Sequence, residues 1–222
     1  MRKIFSLMAL FVFVSVAAHA DTVYTSESAF LAANPGLTTI GFNGIAPTNG
    51  FVNEGTSFSI GGAQFSSSIY MNLDDANYYP FTYPGSNLPT YDDGGYLLPV
   101  GSSLEVLTVS FDPSTAVGVS LGGLFGPNTV QISLSDGYTT TISTPDSITG
   151  TGALDFAGFT SSTPITSFTL TFGDNNTNYS AIDNVTFGTA ATAVTPEPSS
   201  LLLLATGLTT TCAAFRRRLR RG

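Results

Sequence analysis

The chain has 222 residues and a formal net charge of −8, but its seven basic residues sit only at the ends: Arg2 and Lys3 in front, five arginines behind Phe215. Its one histidine, His19, and one cysteine, Cys212, are terminal too, so residues 21–194 hold no Lys, Arg, His, Cys or Trp and fourteen carboxylates, the fifteen acidic residues less Glu197. That inventory excludes Ser-His-Asp and Cys-His nucleophiles, the usual zinc ligands, Schiff-base lysines and phosphate clamps. It also predicts no nucleic-acid partner, since so acidic a domain repels polyanions unless a divalent cation bridges the two.

Residues 1–20 read as a signal peptide. Arg2 and Lys3 precede an apolar run, Ile4 to Ala18, and Ala18-His19-Ala20 has the small-x-small form that signal peptidase accepts. The run is short for a membrane span, so cleavage before Asp21 is expected over retention as an anchor.

One stretch of the body, residues 21–187, reads as helix. Thr25 or Ser26 caps Glu27 to Ala33, with Phe30 and Leu31 turned inward, and Asn34-Pro35-Gly36 stops it. Beyond it the apolar period is two, as in Val117-Val119-Leu121, Val130-Ile132-Leu134 and Phe168-Leu170-Phe172. Strands are expected near 38–42, 56–60, 63–69, 104–111, 115–121, 128–134, 138–143, 155–160, 165–172 and 180–187. Their number and the Gly, Pro, Asn and Asp between them predict an all-β fold, an antiparallel β-sandwich with one short N-terminal helix.

One register follows from the residues. A two-residue turn at Asp136-Gly137 would put Ile132 and Ile142 on different faces. A three-residue loop with Gly137 left-handed sets Leu134 against Tyr138, Ile132 against Thr140 and Val130 against Ile142, which makes one face apolar. Residues 71–103 read as a long excursion rich in Tyr and Pro. Residues 188–195, small and uncharged, read as a linker into the tail.

The tail begins at Thr195-Pro196-Glu197-Pro198-Ser199-Ser200, continues through Leu201 to Phe215, and ends on Arg216, Arg217, Arg218, Leu219, Arg220 and Arg221. As a single apolar helix the fifteen residues reach about 22 Å, against a hydrocarbon core of about 30 Å, so the arginines must snorkel for it to span. The Pro196-Glu197-Pro198 motif, the leucine-rich run and the arginine cluster resemble the PEP-CTERM sorting signal of Gram-negative bacteria, here over 196–222. An ordinary tail anchor needs no Pro-Glu-Pro. The resemblance implies an inner-membrane intermediate with the arginine end cytoplasmic. It also implies cutting near the motif by exosortase, a membrane cysteine protease, and delivery to the cell surface or an extracellular polysaccharide layer.

The body has a family look as well. Phe30-Leu31-Ala32-Ala33, Ile40-Gly41-Phe42-Asn43-Gly44, Phe159 to Ile165 and Ala181-Ile182-Asp183-Asn184-Val185-Thr186-Phe187 resemble the β-sandwich bodies of PEP-CTERM proteins. The last of these is similar to the closing strand of jelly-roll carbohydrate-binding modules. In those modules an acidic residue of that strand often ligates a structural calcium, which maps onto Asp183. The acidic partner common near the first strand is replaced here by Asn43.

Tyr70, Tyr78, Tyr79, Tyr83, Tyr91 and Tyr96 cluster between residues 70 and 96. Tyrosine rings stack on sugars, so Tyr78, Tyr79, Tyr83 and Tyr91 are candidate ligand-binding residues; packing onto the sandwich is the competing reading and the favoured one. Asp74-Asp75, Asp92-Asp93-Gly94-Gly95 and Asp174-Asn175-Asn176 are oxygen-rich and could ligate calcium, but they lack EF-hand spacing and read first as solvated turns. Glycoside hydrolysis needs only two carboxylates, such as Glu54 and Glu105 or the Asp pairs, yet nothing sets two of them across a cleft. The expectation is therefore a non-catalytic exported surface or matrix protein that binds glycan or exopolysaccharide, or a purely structural component of an extracellular layer.

Overall fold

The computed structural model describes residues 22–78, 95–99, 105–123, 128–144, 154–173 and 180–191. The body falls in the compact unit Met1–Ala190, and Ala191–Gly222 forms a second unit. The expected C-terminal helix and arginine cluster lie outside the described residues. Among the described residues no helix is long and apolar enough to cross a membrane.

The helix forms as its sequence dictates. In α1 (Glu27–Ala33) the Ser26 hydroxyl accepts from the Ala29 N–H, and at the other end the Asn34 N–H and Nδ2 both donate to the Phe30 carbonyl. These bonds satisfy groups that a helix end otherwise leaves open. Phe30 is fully buried and Leu31 packs beside it.

Ten strands form: β1 (Thr22–Tyr24), β2 (Thr38–Ile40), β3 (Phe51–Ile60), β4 (Ala63–Asp74), β5 (Tyr96–Pro99), β6 (Val106–Gly123), β7 (Thr129–Leu134), β8 (Thr139–Ser143), β9 (Asp155–Phe172) and β10 (Ser180–Gly188). All pair antiparallel. The first half of β6 lies between β4 and the second half of β9. Its second half lies between β10 and the first half of β9. Long strands thus pass from one layer to the other, and the layers close on one core that unites Phe65, Val109, Phe168 and Ile132 with Leu73, Leu97, Val119 and Ile182. This is an antiparallel sheet folded over itself, the arrangement of a β-sandwich.

The expected hairpin is present. Val130 pairs with Ile142 and Ile132 with Thr140, the Leu134 N–H donates to the Tyr138 carbonyl at 2.8 Å, and Gly137 has φ +100°.

Four expectations need correction. The strands read as ending at 111 and 160 do not end there: β6 continues through Asp112-Pro113 and β9 through Ser161 to Pro164, with register shifts between Ser110 and Ser114 and between Ser114 and Ala116. A bulge lets a strand turn a corner and seat a proline without ending, so these turn-like residues are bends. The excursion at 71–103 is shorter than expected, because β4 runs to Asp74 and β5 returns at Tyr96. At the other end β10 includes Gly188, and the Ala190 N–H donates to Thr115 Oγ1 at 2.8 Å, so the start of the expected linker is tied to the body. Finally, β1 was not expected at all.

The outer face of the β6–β9 pair is floored by two cross-strand partners, Gly118 and Gly158. A Cβ on either would stand 2.6 Å from the Phe156 ring, and Phe30 lies as close as 2.8 Å. Lacking side chains, these glycines admit Phe30 and Phe156, with ring centroids 5.3 Å apart, and so dock α1 on the sheet.

Candidate functional site

Beside that docked helix the same outer face carries a row of polar residues. Asp74 pairs with Phe51 on one side and Tyr96 on the other, and Leu97 opposite Ile182 places Tyr96 beside Asp183, which pairs with Ser120. Alternation sends Leu73, Leu97 and Ile182 into the core and therefore sets Phe51, Asp74, Tyr96, Asp183 and Ser120 on the opposite face.

Asp183 is buried at the bulge of β10, where the register with β6 shifts between Asp183 and Thr186. Its Oδ1 accepts from the Asn184 N–H at 2.7 Å, and Asn184 is left-handed at φ +48°. The Val185–Ile40 pairing carries Gly41 past this point. A Cβ on Gly41 would stand 3.6 Å from Asn184 Oδ1 and 4.0 Å from Asp183 Oδ1.

Two residues on, Asn43 Oδ1 accepts from the Gly95 N–H, which ties the segment after β2 to the start of β5. A Cβ on Gly95 would stand 2.3 Å from the Phe42 carbonyl oxygen, so only glycine fits. Gly41 thus passes near Asp183, and Asn43 is tied to Gly95. Asp183 Oδ1 and Asn43 Oδ1 each accept a backbone N–H. Among the described residues no three acidic, His or Cys side chains converge.

Asp74 differs from the expectation of a solvated turn. It ends β4, is 1% exposed, and neither carboxylate oxygen has a hydrogen-bond partner. Burial pushes its carboxyl from the ordinary 3.8 up to about 7. Only Asp75 acts as a turn residue, its Oδ1 accepting from the Asn49 N–H at 3.2 Å and the Asn77 N–H at 3.0 Å. No signal local to Asp74-Asp75 separates the buried member from the turn member.

The tyrosines divide likewise. Tyr96 is buried in the row, and Tyr70 is 45% exposed on β4. Half-buried Tyr78 meets exposed Phe51 edge to face, ring centroids 5.2 Å apart. Sequence reasoning missed Phe51, which lies ahead of the strand expected at 56–60 and begins β3. Tyr79, Tyr83 and Tyr91 lie outside the described residues, as do Asp92, Asp93, Asp174, Asn175, Asn176, Pro196, Glu197 and Pro198. Of the candidate acids, Glu54 is half-buried on the edge strand β3 and Glu105 is buried ahead of β6. A shallow groove at the bend of β6, lined by Gln64, Phe111 and Asp112, offers one carboxylate.

Residues 194–218 match the family described as the PEP-CTERM protein-sorting motif. The chain carries a PEP-CTERM sorting motif. That motif indicates an exported, cell-surface protein. None of the curated proteins matches the chain. Among solved structures it is similar to CsCBM6-3 from Clostridium stercorarium in complex with cellobiose, at 17% identity over 48% of this chain and 85% of that one, TM-score 0.30. It is also similar to CBM29_1, a family 29 carbohydrate-binding module from Piromyces equi, at 8% identity over 77% and 93%, TM-score 0.33. A third is an exo-β-1,3-galactanase from Phanerochaete chrysosporium with galactose, at 18% identity over 61% of this chain but 30% of the enzyme, TM-score 0.32. Overlap this loose aligns no side chains, and nothing about the chemistry of this chain rests on it.

Proposed function

We propose that this PEP-CTERM protein passes through the inner membrane on its apolar 201–215 segment and is cut by exosortase near Pro196-Glu197-Pro198. Its jelly-roll-like body then contacts extracellular polysaccharide without catalysing a reaction. The matched motif at 194–218, behind a body with no Lys, Arg, His or Cys, carries this reading. The arginines 216, 217, 218, 220 and 221 hold the tail at the cytoplasmic interface until the cut. Contact with sugar is assigned to the edge-to-face pair of exposed Phe51 and half-buried Tyr78, together with Tyr79, Tyr83 and Tyr91. A structural calcium at Asp183 and Asn43 is part of the same proposal, supported by the buried Asp183 carboxylate at the bulge of β10.

Two measurements test it. Replacing Pro196, Glu197 and Pro198 by alanine in a host with exosortase should leave a larger, membrane-bound form; unchanged size and location would refute the sorting role. A glycan array probed with exported protein, with and without calcium, should show polysaccharide signals that Phe51→Ala with Tyr78→Ala reduces at least tenfold. Absence of any signal would leave a purely structural surface protein.

A further inference from the structure

Three buried acceptor oxygens of one strand have no donor: Asp74 Oδ1, Asp74 Oδ2 and Asn72 Oδ1. The two residues are two apart on β4, on the face opposite Leu73, so both side chains leave the sheet on one side. Buried polar atoms in native proteins are almost always paired, and a carboxylate shielded from water calls for a cation or a proton. No side chain of the body can be that cation, because residues 21–194 contain no Lys, Arg or His. A proton on Asp74 would serve at most two of the three oxygens, the one that carries it and one that accepts from it. A metal ion serves all three.

We propose that Asp74 and Asn72 form a cation site for calcium, separate from Asp183 and Asn43. Its ligands would be all oxygen, one anionic and one neutral, which is the hard set that calcium takes at 2.3–2.6 Å. Residues two apart on a strand have Cα atoms about 6.8 Å apart, a gap that carboxylate and amide side chains close onto one ion of that radius. Magnesium dehydrates reluctantly and keeps several waters, which a carboxylate shielded from solvent disfavours, whereas calcium accepts an irregular set of six to eight oxygens. A single carboxylate sets the affinity in the range of extracellular calcium modules, a dissociation constant of about 10⁻⁴ to 10⁻³ M. The neighbouring row gives the site a reporter: Tyr96 pairs with Asp74, and the chain has no tryptophan to compete for excitation.

The test uses the full chain in detergent at pH 7.5 and 0.15 M sodium chloride. Calcium titrated into it should give saturable heat in the submillimolar range and raise the melting midpoint by several degrees; terbium should show tyrosine-sensitised emission that calcium displaces. Asp74→Asn should remove one submillimolar phase of heat, shift and emission and leave the phase that belongs to Asp183 and Asn43, while melting in chelator no lower than the parent, which shows that it folds. Asn72→Ala should weaken the Asp74 phase about tenfold, and Asp183→Asn should retain it. Three results would overturn the proposal: a shift reproduced by sodium chloride alone, Asp74→Asn titrating like the parent, or loss of the titration in Asp183→Asn with retention in Asp74→Asn. The last would place the ion on β10.

Discussion

The two outer faces of the sandwich treat polar residues in opposite ways. On one, Ser57, Ser66, Thr108, Thr169, Ser133 and Thr139 form a transverse row across β3, β4, β6, β9, β7 and β8, exposed or half-buried and without charge. Their hydroxyls meet across strands, as between Thr108 and Thr169 at 3.2 Å, and water is at hand for the rest. On the other, Asp74 and Asp183 are buried beside Tyr96, and Asp74 has no partner. The first face spends little stability on its polarity because solvent satisfies it. The second carries a cost that needs a reason, and residues that carry cost without an evident structural return are where function is to be sought.

The largest expected effect lies on that second face and depends on pH. The Asp74 carboxyl is raised from 3.8 to about 7 by burial, so the folded state holds its proton more tightly than the unfolded state. Its contribution is complete below pH 4 and is lost as pH rises towards 7, amounting to about 4 kcal/mol at most. Urea denaturation in chelator should show the decline between pH 4 and 7.5, and Asp74→Asn should flatten it. Parallel profiles for the two proteins would mean that water reaches the carboxylate.

Next in size is Gly95→Ala. Its Cβ would meet the Phe42 carbonyl, a backbone atom that cannot swing away, and the Asn43 clamp beside it would open. A loss of about 3 kcal/mol is expected. A melting midpoint within two degrees of the parent would show that the corner is softer than described.

Gly118→Ala probes the glycine floor under α1, where the obstruction is a pair of rings that can turn. It should cost about 1–2 kcal/mol, and a double-mutant cycle with Phe156→Leu should recover at least half. Additive losses would show that the added methyl strikes something else. The smallest effect belongs to the hydroxyl face: Thr169→Val should change stability by less than about 0.5 kcal/mol. A larger loss would erase the contrast between the faces.

What was legible in the sequence was local. Ser26 and Asn34 bracket α1 because their side chains act within one turn, and Gly137 sets the β7–β8 register because only one loop length gives an apolar face. What was not legible depends on distant partners. Asp112-Pro113 and Ser161 to Pro164 carry turn residues, and only the opposing strand makes them bends. Tyr96-Leu97-Leu98-Pro99 shows no alternation because both its faces are buried, so its period gives no sign of a strand. Asp183 and Asn43 were singled out only by the resemblance to jelly-roll modules, and nothing local to Asp183 showed its burial. Asp74 was read as a turn, since its burial is created by elements far along the chain.

The pairings at the edge of the body also fix where the chain enters and leaves. Thr22 pairs with Thr160, Thr160 with Ala116, and Ala116 with Gly188. Three strand spacings, about 14 Å, therefore separate the first paired residue from the last. On the proposed sorting route, a precursor that keeps both its leader and its tail is moored twice at one place, like a boat on two lines from the same cleat, and only the second cut sets the domain adrift.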